Sequence, residues 1–260
     1  HLESELGVRL FDRIGKQVSL TYQGELFYRY AVTLTHDLEK IKDAMAATRE
    51  LTGTLTLGTI ESLCSSVIPP ILAEYHRLFP QVSVSIVIDS PRTLLEMMNE
   101  NALDIVYFLD KRLYDRRWIK VLEEPEEIVF VASSDHPFAG QKDLTLDQVI
   151  SQPFLLTEKA ASYRSILDGY LPAHGKKIRP FLEIGNTDFI LQMLRENEGL
   201  SLLPLFSIKK DVEAGVLTPL TVKDFHMQTW RQVVYHKDKW VTREMSEFLK
   251  LAGAGQGGAV

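Results

Sequence analysis

The sequence predicts an α/β chain: two units of alternating strand and helix, behind a short hairpin and one long helix. Three observations predict it. Strand and helix patterns alternate as βαβαβ between residues 54 and 109, which argues a parallel sheet with helices on its faces. A second βα rhythm runs from 154 to 203. Between 22 and 51 an apolar stripe recurs at spacings of three and four with no proline to interrupt it.

Composition bounds the chain to ordinary globular protein. It has 260 residues, 45% hydrophobic and 25% charged, enough for two domains with their own cores. The net charge of −6 excludes a protein that coats nucleic acid non-specifically, so any DNA contact must be local. Even residues 1–52 are near neutral, with seven Lys or Arg against eight Asp or Glu. The single cysteine, Cys64, excludes an internal disulfide and fits a reducing cytoplasm. No apolar run is long enough to cross a membrane as a helix, and no signal peptide stands at the start. The chain begins at His1, without Met, in what reads as mid-helix, so an N-terminal truncation is expected.

Taken in order, His1–Leu6 reads as the end of a helix, since Leu2 and Leu6 lie one turn apart and Gly7 is a stop signal. Leu10-Phe11 and Val18-Ser19-Leu20 flank a polar turn with Gly15 at its tip, which predicts a short β-hairpin. Thr21 is a good N-cap for the long helix. Its stripe is Phe27, Tyr30, Leu34, Leu38, Ile41 and Met45. A helix that long cannot bury its stripe on a small domain, so pairing with a second copy is expected; packing within one chain is the alternative. Strands follow at 54–58, 82–88 and 104–109, with helices at 65–79 and 93–101. Glu123 to Glu127 read as a solvated acidic loop before a strand at 128–132. In the second unit, strands are expected at 154–157, 179–184, 199–203, 217–220 and 232–235. Helices are expected at 145–149, 162–173, 187–196, 205–212 and 242–251. The Gly/Ala-rich end, 253–260, reads as disordered.

The string LExxLGxxLFxRxGxxVxLTxxG, from Leu2 to Gly24, resembles the LysR-type transcriptional regulators, where it follows the recognition helix of a winged helix-turn-helix. The likeness continues through TLTLG, IPPILAEYHRLFP, LDIVYF, SSDHPFA, LEIGNTDFILQMLRENEGLSLLP and VVYHKDKW. It implies two Rossmann-like subdomains of the type II periplasmic-binding-protein kind, with a small ligand between them and two crossing strands near 131–134 and 232–235. The implied organisation is a winged-helix remnant at 1–21, a dimerisation linker helix at 22–52 and an effector-binding domain at 53–252. Subdomain I would be 53–132 plus 232–252, and subdomain II 133–231. The implied partners are promoter DNA, a further copy in a homodimer or homotetramer, and a small effector: a carboxylate, an amino acid or an inorganic anion. No cofactor, metal or catalytic residue is implied.

Ligands of open α/β sheets sit beyond the carboxyl ends of strands, where helix N-termini favour anionic groups. Thr59, Glu61, Ser62, Thr93, Ser162, Tyr163, Arg164, Asn186, Thr187 and Leu205 stand at those ends. Ser62 occupies the place where the family sets a hydroxyl against the effector, with a plain N-cap as the alternative. Thr93 reads as a second cap. Arg164 offers a bidentate partner for a carboxylate or sulfate, or else a surface salt bridge. Glu61, turned inward, disfavours a purely anionic effector and favours an amino-bearing one; turned outward, it says nothing. Tyr107 and Phe108 suggest a narrower pocket. For DNA, Arg9, Arg13 and Lys16 beside the hairpin suit backbone phosphates, which position but do not read sequence.

Other motifs carry little. Cys64 has no resolving partner and reads as a half-buried helix residue. The seven histidines show no metal-ligand spacing. Ser207-Ile-Lys-Lys stands alone, without companion catalytic motifs. A secreted solute-binding protein would need a signal peptide, and a two-lobed enzyme a catalytic constellation; neither is present.

Overall fold

The computed structural model describes residues 2–14, 17–45 and 51–254, in two compact units, 1–50 and 51–260. In the first unit α1 (Leu2–Leu6) leads into an antiparallel hairpin of β1 (Phe11–Ile14) and β2 (Gln17–Leu20), Phe11 opposite Leu20. The Thr21 hydroxyl then accepts from Gly24 N at 3.0 Å and donates to Arg9 O, capping α2 (Tyr22–Met45) as its residue type suggests. Gly24 is required by close approach: a Cβ there would lie 2.0 Å from the carbonyl oxygen of buried Leu10.

The second unit is built on one mixed seven-stranded sheet. β3 (Gly53–Thr59) is flanked in parallel by β4 (Val82–Ile88) and β5 (Ile105–Asp110). Three helices alternate with these strands: α3 (Glu61–Ser66), α4 (Ile68–Leu78) and α5 (Pro91–Asn99). A single helix over 65–79 is not what forms. Pro69 and Pro70 lack the N–H that would continue α3, and they sit instead in the first turn of α4. Likewise α5 starts at Pro91, with Ser90 as its cap, not at Thr93.

The acidic segment is the main correction. Glu123 to Glu127 are not a loop: they lie inside β6 (Trp118–Ser133), sixteen residues long. The charge is tolerated because β11 (Met227–His236) pairs with it antiparallel and sets Arg231 opposite Glu124. Register matters here, since a strand alone would leave these carboxylates in a half-buried sheet with no counterion.

Beyond β6 come α6 (Leu146–Ile150), β7 (Leu155–Leu156), α7 (Ser162–Ala173), β8 (Leu182–Glu183), α8 (Thr187–Arg195), β9 (Ser201–Pro204), α9 (Leu205–Glu213), β10 (Leu217–Leu220) and α10 (Arg243–Ala254). The strand expected over 179–184 shrinks to β8, which pairs only with β7. β6 changes neighbours along its length: residues 128–133 pair with β9 and β10, whereas 118–128 lie against β11, which itself adjoins β5. Leu55, Leu57, Leu94 and Phe248 are fully buried around β3, and Leu155, Ile190, Leu194 and Leu203 around β9. The expected disordered tail overlaps α10 at Gly253 and Ala254; residues 255–260 lie outside the described residues.

Candidate functional site

A cavity of ≈ 320 Å³ opens beyond the carboxyl ends of β3 and β4. One wall is Ile60, Glu61 and Ser62 with Ile88, Asp89, Ser90 and Pro91; the other is Glu158, Ala160, Ala161, Ser162, Tyr163 and Gly185. The strand-end rule accounts for the location, because each wall is the turn from a strand into a helix start.

Ser62, on α3, is 3% exposed and its hydroxyl has no hydrogen-bond partner. The buried Tyr163 ring stands beside it, and burial pushes the Tyr163 hydroxyl far above its usual range. Glu61 turns inward. Its Oε1 accepts from Thr187 N at 3.0 Å and its Oε2 from the Thr187 hydroxyl, so a carboxylate from α3 sits on the N-terminus of α8. Asn186 caps the same helix, accepting from Phe189 N at 2.8 Å. Glu158 is half-buried, and its pKa is raised first by burial and then by the charge of Glu61. Gly185 leaves room for it, since a Cβ there would stand 3.0 Å from Glu158 Oε2. Cys64 is half-buried, its thiol pushed up by burial and then by Glu61, away from thiolate chemistry.

Of the residues expected at this site, Glu61, Ser62, Ser162 and Tyr163 meet on the cavity wall, and Thr187 and Asn186 join through Glu61 and the α8 cap. The others lie elsewhere. The Thr59 hydroxyl is buried and donates to Tyr107 O at 2.9 Å. Thr93 is one turn into α5, its hydroxyl 2.9 Å from that of Ser90. Arg164 is 4% exposed, and its guanidinium is occupied: by Asp168 at 2.9 Å, Thr157 O at 2.8 Å and Glu183 at 3.0 Å. It stitches α7 to β8 and does not line the cavity. Leu205 lines a separate cavity with Glu127, Phe130 and His226. Tyr107 and Phe108 are buried in the sheet and do not narrow the cavity. The Ser162 hydroxyl is itself used, donating to Leu109 O at 2.5 Å.

Asp89, Ser90, Glu158 and Gly185 escaped the sequence reading. The same strand-end rule reaches them: Asp89 follows β4, and Glu158 follows β7 by two residues. What concealed Asp89 and Ser90 was the start of α5, expected at 93 and found at 91, and what concealed Glu158 was the end of β7, expected at 157 and found at 156. Among the described residues no three His, Cys, Asp or Glu stand together as metal ligands, and no helix is long and apolar enough to cross a membrane.

In the first unit Arg9 is exposed and its carbonyl holds the Thr21 cap; the Arg13 side chain and all of Lys16 lie outside the described residues. Along α2, Tyr30, Leu34, Leu38 and Ile41 are 65%, 68%, 54% and 59% exposed, and Phe27 is half-buried. The Met45 side chain lies outside the described residues.

The family model described as LysR substrate binding domain matches residues 48–256. YwqM of Bacillus subtilis, an uncharacterised HTH-type transcriptional regulator, is 34% identical over 253 residues, covering 96% of this chain and 85% of its own length. The Synechocystis transcriptional activator CmpR is 28% identical, covering 95% of this chain and 81% of its own length. Among solved structures, the Synechocystis CcmR regulatory domain in complex with 2-PG superposes with TM-score 0.65 at 22% identity, over 79% of this chain and 98% of its own. OxyR of Corynebacterium glutamicum (a C206 mutant) superposes with TM-score 0.60 at 24% identity, over 97% of this chain and 80% of its own. These two share the fold that the strand order shows. The chain belongs to the LysR-type transcriptional regulators, with the family's effector-binding domain spanning residues 48–256.

Proposed function

We propose that this regulator senses a small effector in the cavity walled by Glu61, Ser62, Ser162 and Tyr163, and acts on promoter DNA in the cytoplasm without chemical turnover. Ser62 carries the reading. A buried hydroxyl with no partner costs about 1–3 kcal/mol, and a ligand group placed against it offsets that cost. The 2-PG complex of CcmR, on the same fold, supports ligand binding in this architecture.

We draw the two subdomains where β6 passes from β11 to β9, at Ile128, and where β11 gains β5 as a neighbour, near 227–230, rather than at 132/133 and 231/232. A ligand held by both walls would then bias the angle between them, which is how a cleft reports occupancy. The exposed stripe of α2 is read as the dimer seam of a homodimer or homotetramer, and Arg9, Arg13 and Lys16 as phosphate contacts of the wing. The test is gel retardation and footprinting on the regulator's upstream DNA, with and without compounds that raise its melting temperature. A dyad-symmetric footprint that changes with the compound is expected; a footprint indifferent to every stabilising compound would overturn the sensing role.

A further inference from the structure

We propose that the effector carries a protonated amine, seated at the Glu61–Glu158 side of the cavity, and that its class is amino acids rather than simple carboxylates. The proposal rests on the reading of this cavity as the effector site. Three carboxylates line the cavity, those of Glu61, Asp89 and Glu158, and no Lys or Arg does. Against them stand the N-termini of α3, α5 and α7, which favour anions, and that of α8, which Glu61 already fills. A helix end is worth about half a positive charge, so the four ends offset only about two-thirds of the carboxylate charge. An anion alone therefore enters a site of its own sign, while a cation is attracted.

Four further observations sharpen the class. The Ser62 hydroxyl, 3% exposed and unpartnered, is free to accept from an ammonium. The half-buried Glu158 carboxylate is held above its ordinary pKa by burial and Glu61, as expected of a negative charge waiting for a counterion. The carboxylates do not converge as metal ligands, which suits a spread organic ammonium better than a bare metal ion. The start of α7 has no side-chain cap, and beyond Ser162 an adjoining recess carries Lys111 and Arg92 together with Asp110, Arg92 being paired to Glu96 at 3.1 Å. The surface thus passes from carboxylates alone inside to a rim that also offers cations, which suits a zwitterion with its amine inward and its acid outward.

The test is calorimetry and thermal shift on the 260-residue chain with matched pairs sharing one carbon skeleton: alanine and lactate, serine and glycerate, aspartate and malate. At least one amino acid should bind saturably, with its hydroxy-acid partner weaker by roughly tenfold or more. Glu158→Gln should narrow that gap, and Asp89→Asn should do the same to a smaller degree. Hydroxy acids binding as well as their amino partners, no binding in either column at millimolar concentration, or a gap unmoved in both variants would each overturn the proposal. Ala160→Trp, which fills the cavity from an exposed loop position, separates the two levels. If it abolishes binding of a hydroxy acid, the cavity is the site and only the amine assignment fails. If it leaves binding intact, the site lies elsewhere and the underlying reading fails too.

Discussion

Two glutamates in this molecule do the same local job in opposite surroundings. Glu61 places its carboxylate on the N-terminus of α8, through Thr187. Glu126 places its own on the N-terminus of α9, accepting from Phe206 N at 3.1 Å. Both exploit the unpaired N–H groups and positive end of a helix. Glu126, however, is 7% exposed and ion-paired, with Arg231 Nε 3.0 Å from its Oε2, while Arg231 Nη2 donates to Glu124 at 2.8 Å. Even so, burial outweighs Arg231 and raises the pKa of Glu126. Among the described residues Glu61 has no cation paired with it, and it lines a cavity with Glu158. The first arrangement is closed and holds β6 to β11. The second leaves its carboxylate without an ion-pair partner at the edge of an open cavity.

The sharpest way to break the comparison is to remove the cation from the closed arrangement. Arg231→Met should destabilise the chain by about 3–5 kcal/mol in urea unfolding at neutral pH, because it strands Glu126 in the sheet with no counterion. Adding Glu126→Gln should recover most of the loss; recovery of none would mean that packing, not charge, governs the crossing strands. Cutting the open arrangement should cost less. Glu61→Ala removes an acceptor from the α8 N-terminus, and about 1–2 kcal/mol is expected, with faster hydrogen exchange at Thr187 than at the start of α9.

A pH titration separates the two kinds of carboxylate further. The pKa of Glu158 is raised on folding, so the stability it contributes is complete below its unfolded value near 4.5 and is lost as pH rises through the folded value. Glu158→Gln removes that loss. The variant should therefore melt higher than the parent at pH 7.5 and nearly level with it at pH 4; an equal gap at both would deny the burial of this charge. Ser62→Ala should raise stability, by up to about 1–3 kcal/mol, since it deletes a buried hydroxyl with no partner, while weakening response to any cavity ligand. Leu38→Asp, on the exposed stripe of α2, should leave the melting of the second unit unmoved yet shift mass in solution from dimer to monomer. An unshifted mass would remove α2 from the seam.

How much of this was legible in the residues varies with range. The hairpin, the Thr21 cap, the βα rhythm and the family string depend on neighbours a few positions apart, and they read directly from periodicity and turn chemistry. Ser62 and Tyr163 were also legible, because strand ends and helix starts are local features. The acidic stretch in β6 was not. Glu123 to Glu127 look like a solvated loop in any window, and only the register with β11 delivers Arg231 to them from more than a hundred positions away. The partners of Arg164 were hidden for the mirror reason: of the two uses left open for its guanidinium, the ion pair is the one seen, with Thr157, Asp168 and Glu183 brought to it in space.

By itself the sequence determined the class of fold, the family and the approximate place of the cavity, since those follow from patterns carried along the chain. Tertiary structure alone decided which charges are cancelled and which are left facing the cavity. Charge is compensated across space, and the partner of a glutamate is settled by strand register and helix placement, not by the residue beside it.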